Sequence, residues 1–215
     1  MSKHYLIYRG GLSVNHPRPK AKLSRALGIP LTPKCVRYFE QRPYPPGDHG
    51  RSRKSTSDYK VRLLEKQRLR HQYNVSETQL SRAFDRAHRS SGKTGEALVI
   101  ELETRLDALV LRAGFARTIY QARQAVTHRH ITVNGKLVDK PSYKVKPEDV
   151  IAVAPRSINK TPFQVAAAGA HELAVTPPYL EVLLPQLHAR LVRLPARDEV
   201  PIVCNEQLVV EYYSR

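Results

Sequence analysis

The dipeptide Asn134-Gly135, set between two short alternating apolar stretches, constrains the fold of this chain more than any other feature. A type I′ turn needs positive φ angles at both central positions, and Asn followed by Gly adopts them at the least cost. The flanking stretches, Ile131-Thr132-Val133 and Lys136-Leu137-Val138, alternate as paired strands do. The sequence therefore predicts a β-hairpin that turns at residues 134 and 135.

Two short helices precede the predicted hairpin. Thr118 is a favourable N-cap residue, and Gln121 three residues later completes a capping box that satisfies the first N–H groups of a helix. Upstream, leucines recur at helical spacing until Gly114, which suits the position just after a helix C-terminus. Residues 103–138 therefore predict a helix–helix–hairpin platform around which the chain is organised.

A second helical region lies upstream of this platform. Ser76 and Gln79 form another capping box, and the next residues place apolar side chains on one helical face, namely Leu80, Ala83, Phe84 and Ala87. The leucine pattern then runs over residues 98–109 and leaves open whether one helix or two cover that stretch. We place a domain boundary near residues 101–103.

The stretch from Ser57 to Tyr73 predicts a helix that is basic on several faces. Few apolar residues interrupt its arginines and lysines, so its own apolar face is too small to hold it in place. Either the long basic side chains cover a shallow core, or the helix is held against an anion. We favour the anion.

The N-terminal residues predict an extended basic arm. Prolines recur from Pro17 to Pro46 and interrupt every candidate helix, and Pro45-Pro46-Gly47 indicates a turn. The density of basic side chains favours an arm that orders against phosphates over a solvated tail.

The C-terminal part is richer in apolar residues. Residues 150–153 predict a buried strand, and residues 155–178 predict a connector with one short helix. The run Leu208-Val209-Val210 is too apolar for a loose tail, so we expect it to pack back on the rest of the chain.

The charge of the chain points to a polyanionic partner. The formal net charge is +17 over 215 residues. It is concentrated at the front, with +13 in residues 1–73, +6 in residues 74–147 and −2 in residues 148–215. This distribution favours a nucleic acid as the partner, with an anionic membrane as the second possibility.

Several classes of protein are disfavoured by the sequence. No apolar run reaches the roughly 18 residues that a membrane span needs. The first ten residues lack the layout of a signal peptide, so we expect the protein in the cytoplasm. Cys35 and Cys204 lie far apart in sequence, which fits a reducing compartment and argues against a disulfide framework.

As a set, the motifs resemble the bacterial small-subunit ribosomal protein S-four family, over roughly residues 17–215. The matching stretches are Arg18–Arg25, Pro46–Lys54, Ser57–Tyr59, Leu64–Arg70, Gly92–Glu96, Arg105–Asp107, Gly114-Phe115, Gln121–Gln124, Ile131–Lys136 and Asn205–Arg215. No single motif suffices, but the combination is specific.

The resemblance implies an α+β fold. A mainly helical lobe is joined to a small helix–helix–β-hairpin RNA-binding module, with an extended basic N-terminal arm. The implied division is residues 1–46 for the arm, 47–102 with 176–215 for the helical lobe, and 103–175 for the module with its connector. The implied role is that of a structural protein that binds 16S rRNA, holds a multi-helix junction of the 5′ domain and nucleates assembly of the small subunit.

The resemblance also implies partners, and the basic residues supply a candidate RNA-binding set. The expected partners are 16S rRNA, neighbouring small-subunit proteins (S-five among them) and mRNA where it enters the subunit, which links the protein to translational accuracy. Guanidinium forks and helix N-termini read RNA through its phosphates and shape. The candidate residues are Arg18, Lys20, Lys22, Arg25, His49, Arg51, Arg53, Lys54, Tyr59, Arg62, Lys66, Arg68, Arg70, Arg105, Arg117, Thr118, Arg123, His128 and Lys136.

No metal or cofactor is expected. Many relatives carry a zinc-type cysteine cluster near the N-terminus, whereas this sequence has only Cys35 there, which excludes zinc on ligand count. His128 and His130 form a single His-x-His pair without further ligands. The stretch Leu184–Ala189 departs from the more polar pattern of relatives, which concerns the surface that faces neighbouring proteins.

Two other functions are disfavoured by the sequence. Some RNA-modifying enzymes with the same small module use an Arg-Leu-Asp motif with a catalytic Asp, and Arg105-Leu106-Asp107 has that order. Here the triplet lies inside the module, and no stretch remains for a catalytic domain, so we interpret Asp107 as a helix-surface or capping residue. A membrane-binding helix would need a wide apolar face, which residues 57–73 lack.

Overall fold

The computed structural model describes residues 19–52, 56–171 and 176–214. Of the candidate RNA-binding residues, Arg18, Arg53 and Lys54 lie outside these ranges. The helices within them are α1 Lys20–Leu27, α2 Pro33–Gln41, α3 Asp58–Gln72, α4 Glu77–Arg89, α5 Thr94–Glu103, α6 Leu106–Arg112, α7 Ile119–Thr127, α8 Thr161–Ala167 and α9 Glu206–Tyr213. The strands are β1 Ile131–Val133, β2 Lys136–Leu137, β3 Val150–Val153, β4 Leu180–Leu183 and β5 His188–Leu191.

The predicted platform is confirmed. Asn134 and Gly135 have φ angles of 50° and 78° and turn β1 into antiparallel β2. The Thr118 hydroxyl accepts a hydrogen bond from the N–H of Gln121 at 3.2 Å, which begins α7. The capping box is displaced by one residue, because the Gln121 side chain accepts from the N–H of Arg117 rather than from that of Thr118.

The hairpin belongs to a five-stranded antiparallel sheet with the order β2-β1-β3-β5-β4. The predicted strand at residues 150–153 is β3, and β5 pairs with it. Residues 180–191 therefore join the sheet of the module, although the resemblance implied that they belong to the helical lobe. The short alternating pattern of β4 and β5 was hidden by the intervening turn, in which Pro185 lies in a 3₁₀ segment and Leu187 has a φ of 54°.

We call α6, α7, α8 and the sheet the module, and α1–α5 with α9 the helical lobe. The open question about residues 98–109 is settled in favour of two helices, since α5 ends at Glu103 and α6 begins at Leu106. The break is stabilised by a loop of the module. The N–H groups of Leu106 and Asp107 donate to the carbonyls of Tyr143 and Pro141, at 2.9 and 3.2 Å.

The helical lobe packs as its apolar stripes predict. Ser76 and Gln79 form a complete capping box at the start of α4. The apolar residues of α4 pack with α5 and α9 in a core that includes Leu80, Leu98 and Val209. The expectation that the apolar C-terminus packs back is confirmed, because α9 lies against α3, α4 and α5.

The expectation of an extended arm needs correction within residues 20–41. This part forms α1 and α2, and apolar side chains are buried in both helices and in the turn between them, at Leu27, Cys35 and Ile29. The prolines do not interrupt these helices because they lie at helix starts, where a missing N–H costs nothing: Pro19 is the N-cap of α1 and Pro33 the first residue of α2.

Candidate nucleic-acid interface

The helical lobe and the module, which are the two bodies of the protein, meet at a buried carboxylate. Glu103, fully buried at the end of α5, accepts hydrogen bonds from the Tyr73 hydroxyl at 2.5 Å and the Tyr179 hydroxyl at 2.8 Å. Arg112 of α6 donates its Nε to the same carboxylate at 2.6 Å. Burial, together with the charge of Glu103, raises the pKa of both tyrosines. These contacts join the C-terminal end of α3 to α6 and to the segment that leads into β4.

A second buried pair lies immediately beyond the helix break. Arg105 donates Nε and Nη2 to the two carboxylate oxygens of Asp107, at 2.9 and 2.7 Å, and both side chains are buried. Burial raises the pKa of Asp107. Asp107 is therefore an interior ion-pair partner, not the helix-surface residue that the sequence suggested. Arg105 is held in that pair and is not exposed for RNA contact.

Arg123 also bridges the two bodies. Its Nη1 donates to the carbonyl of Asn74, in the turn between α3 and α4, at 3.2 Å. The same atom lies 3.6 Å from Asp107. Arg123 belongs to the candidate RNA-binding residues, and in the structure it connects α7 with the helical lobe.

The cations of α3 face carboxylates of the chain itself. Lys66 is buried, with its Nζ 2.9 Å from Glu77 and 4.4 Å from the ring centre of Tyr212. Arg62 pairs with Glu211 of α9 at 2.7 Å. Internal carboxylates and a tyrosine ring therefore hold these two cations, and the interpretation that α3 is held against an external anion stays a prediction.

The remaining arginines of α3 are engaged in the same way. Arg68 pairs with Glu65 at 2.5 Å and donates to the carbonyl of Leu27 at 2.7 Å, which ties α1 to α3. Arg70 donates to the carbonyl of Val75 at 3.1 Å. These two residues and Arg62 are partly exposed, so each has a surface that remains accessible beside its internal partner.

A second group of cations is arranged on aromatic rings at the surface. The guanidinium carbons of Arg25 and Arg51 lie 4.9 and 4.7 Å from the ring centre of Tyr44. Arg51 also donates to the Tyr44 hydroxyl at 3.1 Å, which lowers the pKa of that hydroxyl. Arg25 donates to the Tyr44 carbonyl at 2.9 Å. One tyrosine thus presents two guanidinium groups in defined positions.

Helix α1 of the helical lobe is linked to the module by a similar contact between a cation and an aromatic ring. The ammonium group of Lys20, in α1, lies 3.7 Å from the ring centre of Tyr120 in α7. The sequence analysis missed Tyr44 and Tyr120 as organising residues. The available signal was the presence of aromatic residues close to clusters of basic ones, a pattern typical of surfaces that bind nucleic acids.

The other candidates are exposed or lie at a helix start. Thr118 caps α7, so its hydroxyl is already occupied by an N–H group. The exposed candidates are Lys22, His49, Tyr59, Arg117, His128 and Lys136. Together with the aromatic-bound arginines and Lys20, they leave basic groups accessible on both the helical lobe and the module, which suits a partner that offers phosphates on more than one side.

Within the described ranges, no helix is long and apolar enough to cross a membrane. Nor do the described residues bring three or more His, Cys, Asp or Glu side chains together in a group that would hold a metal ion.

Two known protein families match consecutive parts of the chain. Residues 15–103 match the family described as "Ribosomal protein S4/S9 N-terminal domain", and residues 104–151 match the family described as "S4 domain". The boundary between the two matches coincides with the helix break after Glu103.

Whole-length relatives agree with this assignment. The "Small ribosomal subunit protein uS4" of Streptomyces griseus is 65% identical over 202 residues, which are 94% of this chain and 99% of the relative. The proteins of the same name from Streptomyces avermitilis and Beutenbergia cavernae are 66% and 64% identical, over 94% of this chain and 99% of each relative. Because this identity extends over nearly the whole chain, the protein belongs to the uS4 family of structural small-subunit ribosomal proteins and is not an enzyme.

Proposed function

We propose that this protein binds 16S rRNA with both bodies at once and holds a multi-helix junction of the 5′ domain. In this role it nucleates assembly of the small subunit. The observation that carries the proposal is the combination of accessible cations on both bodies with a buried, charge-paired connection between them at Glu103 and Asp107. RNA helices bound to the two bodies would therefore be held at a defined angle to each other.

The chemistry of recognition follows from the exposed groups. Structured RNA presents phosphates and a shallow minor groove, which proteins contact by shape rather than by a base code. On the helical lobe, Arg25 and Arg51 are positioned by Tyr44 and offer two guanidinium groups to phosphates of the bound RNA. Arg117 and Lys136 offer exposed cations on the module side. We leave Arg105 and Lys66 out of the proposed contact surface because they are buried in internal ion pairs.

A double-mutant cycle on an isolated 16S 5′-domain RNA tests this proposal. Arg51→Ala and Lys136→Ala should each weaken binding by about 1.5–3 kcal/mol, the value of a charge-assisted hydrogen bond. We expect the two losses to couple, since a flexible junction is shaped only when both bodies grip it. Additivity within about 0.5 kcal/mol would mean instead that the protein recognises a preformed junction.

The matched control is Arg190→Ala. Arg190 is a half-exposed arginine of β5 that pairs with Glu181 and Glu148 on the less basic C-terminal segment. It removes one positive charge, as the test variants do, but outside the proposed contact surface. Wild-type protein that bound the RNA no more tightly than an unrelated RNA of equal length would overturn the proposal.

The proposed role near the path by which mRNA enters the subunit, and hence in translational accuracy, includes contact with a neighbouring protein such as S-five. Its support is the exposure of large apolar side chains in the C-terminal segment, at Leu183, Leu194 and Val203. Leu183→Asp should reduce recruitment of purified S-five to the complex of this protein with 16S rRNA and leave RNA binding unchanged. Undiminished recruitment would remove Leu183 from the proposed contact.

A further inference from the structure

A groove runs along the boundary between the helical lobe and the module. It encloses about 450 Å³ and has one wall from α4 and the end of α5, and another from the 142–144 loop of the module. Its polar lining consists of Gln79, Arg82, Arg86, Glu101, Arg105, Ser142 and Lys144. With the exception of Arg105, none of these residues belongs to the candidate RNA-binding set that the sequence suggested.

The groove contains more positive than negative charge. The carboxylate of Glu101 is shared by two cations, with Arg86 Nη2 at 2.6 Å and Lys144 Nζ at 3.0 Å. Lys144 Nζ also donates to the Glu101 carbonyl. Arg82 is exposed and makes no hydrogen bond or ion pair with any residue that the structure describes. The lining therefore has one carboxylate and four cations, of which Arg105 is paired with Asp107 and Arg82 has no partner among the residues that the structure describes.

Lys144 is partly buried beside these charges. Burial is the largest cause that lowers the pKa of Lys144 to about 8; the charges of Arg86 and Arg105 act in the same direction, and the attraction of Glu101 acts against them. An anion bound in the groove would relieve the repulsion among these side chains.

We propose that this groove binds a phosphate of the rRNA backbone, contacted from the α4 wall by Arg82 and Arg86 and from the module wall by Lys144 and the Ser142 hydroxyl. The inference rests on the proposed function, because it assumes that the partner is structured RNA. Its volume accommodates a phosphate with an adjoining ribose, and guanidinium groups match phosphate oxygens in pairs. A phosphate in this position is held by both bodies, so it strengthens the connection between them.

The first variant for the test is Arg82→Ala, measured as affinity for the 16S 5′-domain RNA over a range of salt concentrations. Because the exposed Arg82 side chain makes no hydrogen bond or ion pair with the described residues, its removal should leave thermal unfolding nearly unchanged. Affinity should fall about 10- to 150-fold, the equivalent of one charge-assisted hydrogen bond. The slope of log affinity against log salt should become shallower by about one unit.

For the second variant, Glu101→Gln, we expect the opposite change in RNA affinity. It removes the only carboxylate of the groove lining, so RNA should bind more tightly and the salt slope should steepen. Each variant has a control with the same change of charge. Arg89→Ala removes an exposed arginine of α4 outside the groove, and Glu96→Gln removes a carboxylate that pairs with Lys93 at the other end of α5.

The outcomes separate this inference from the proposed function. Larger effects for Arg82→Ala and Glu101→Gln than for their controls, in opposite directions, would support the groove as a phosphate site. If the wild-type protein binds the RNA but Arg82→Ala behaves like Arg89→Ala, the groove site is wrong and the proposed function stands. Should Glu101→Gln destabilise the fold, Arg82→Ala decides the matter alone. Wild-type protein without RNA affinity would overturn both.

Discussion

The module and the helical lobe are stabilised by different means. The module has a continuous apolar core that joins α6 and α7 to the sheet, with fully buried side chains such as Leu106, Phe115 and Ile151. The helical lobe has a smaller apolar core, and its central helix α3 is held by ion pairs to Glu77 and Glu211. The apolar core of the module thus rests on hydrophobic burial, with the buried Arg105–Asp107 pair at the helix break beside it, whereas the central helix of the helical lobe is itself held by charges that face inward.

This difference shows that some basic residues of an RNA-binding protein form internal ion pairs, while others remain exposed for contact with RNA. In the helical lobe, Lys66 is buried in an ion pair, whereas Arg51 is exposed beside a tyrosine ring, although both belong to basic runs in the sequence. The count of cations therefore overstates the number available to a polyanion. The four experiments that follow probe the contrast, beginning with the largest expected effect.

Phe115→Ala should destabilise the protein by about 3–5 kcal/mol, because it removes a fully buried ring from the module core. The measurement is urea unfolding followed by circular dichroism. Phe84→Ala is the counterpart in the helical lobe, where the ring is slightly exposed and stacks on Tyr213 and His88. We expect a smaller loss there, and an equal loss would remove the contrast between the two cores.

Glu103→Gln should cost about 3 kcal/mol, because it leaves the buried guanidinium of Arg112 without its charge partner. Glu181→Gln breaks a surface pair with Arg190 and should cost at most about 1 kcal/mol. The variant should also loosen the connection between the bodies, which limited proteolysis near the helix break would detect. Similar unfolding curves for both variants would show that the buried pair contributes no more than a surface pair.

Lys66→Ala separates folding from binding in the helical lobe. It should reduce stability by about 1.5–3 kcal/mol, since Lys66 makes a charged hydrogen bond to Glu77 and lies over Tyr212. RNA affinity of the folded variant should stay within about twofold of the wild type, or about 0.4 kcal/mol. Arg51→Ala should do the reverse, with stability unchanged within about 0.5 kcal/mol and weaker RNA binding. A loss of RNA affinity in folded Lys66→Ala would show that Lys66 belongs to the RNA contact surface after all.

The smallest effects concern the helix caps, where the two bodies should be alike. Ser76→Ala in the helical lobe and Thr118→Ala in the module should each cost about 1 kcal/mol, because each removes a side-chain acceptor for an N–H group of the first turn. Thermal unfolding of the two variants measures the loss. A difference above about 1 kcal/mol would show that caps, too, depend on the surrounding core.

Sequence and structure agree best where the determining interactions are local. The turn at Asn134-Gly135, the N-caps at Ser76 and Thr118, and the apolar stripe of α4 are all present as the sequence predicts. Each depends on residues within a few positions of one another. The front-loaded positive charge likewise follows from composition, and the family resemblance follows from the order of the motifs, which the family matches confirm.

Tertiary structure alone decided which partner each long-range group finds. Nothing in the order of residues showed that Glu103 would meet Tyr73 and Tyr179, or that residues 180–191 would extend the module's sheet. The helix break at Thr104 is of the same kind, since distant loop carbonyls accept the first N–H groups of α6. The physical reason is that a charge or an N–H group is satisfied by whatever partner packing brings within about 3 Å, and only the folded chain determines that proximity.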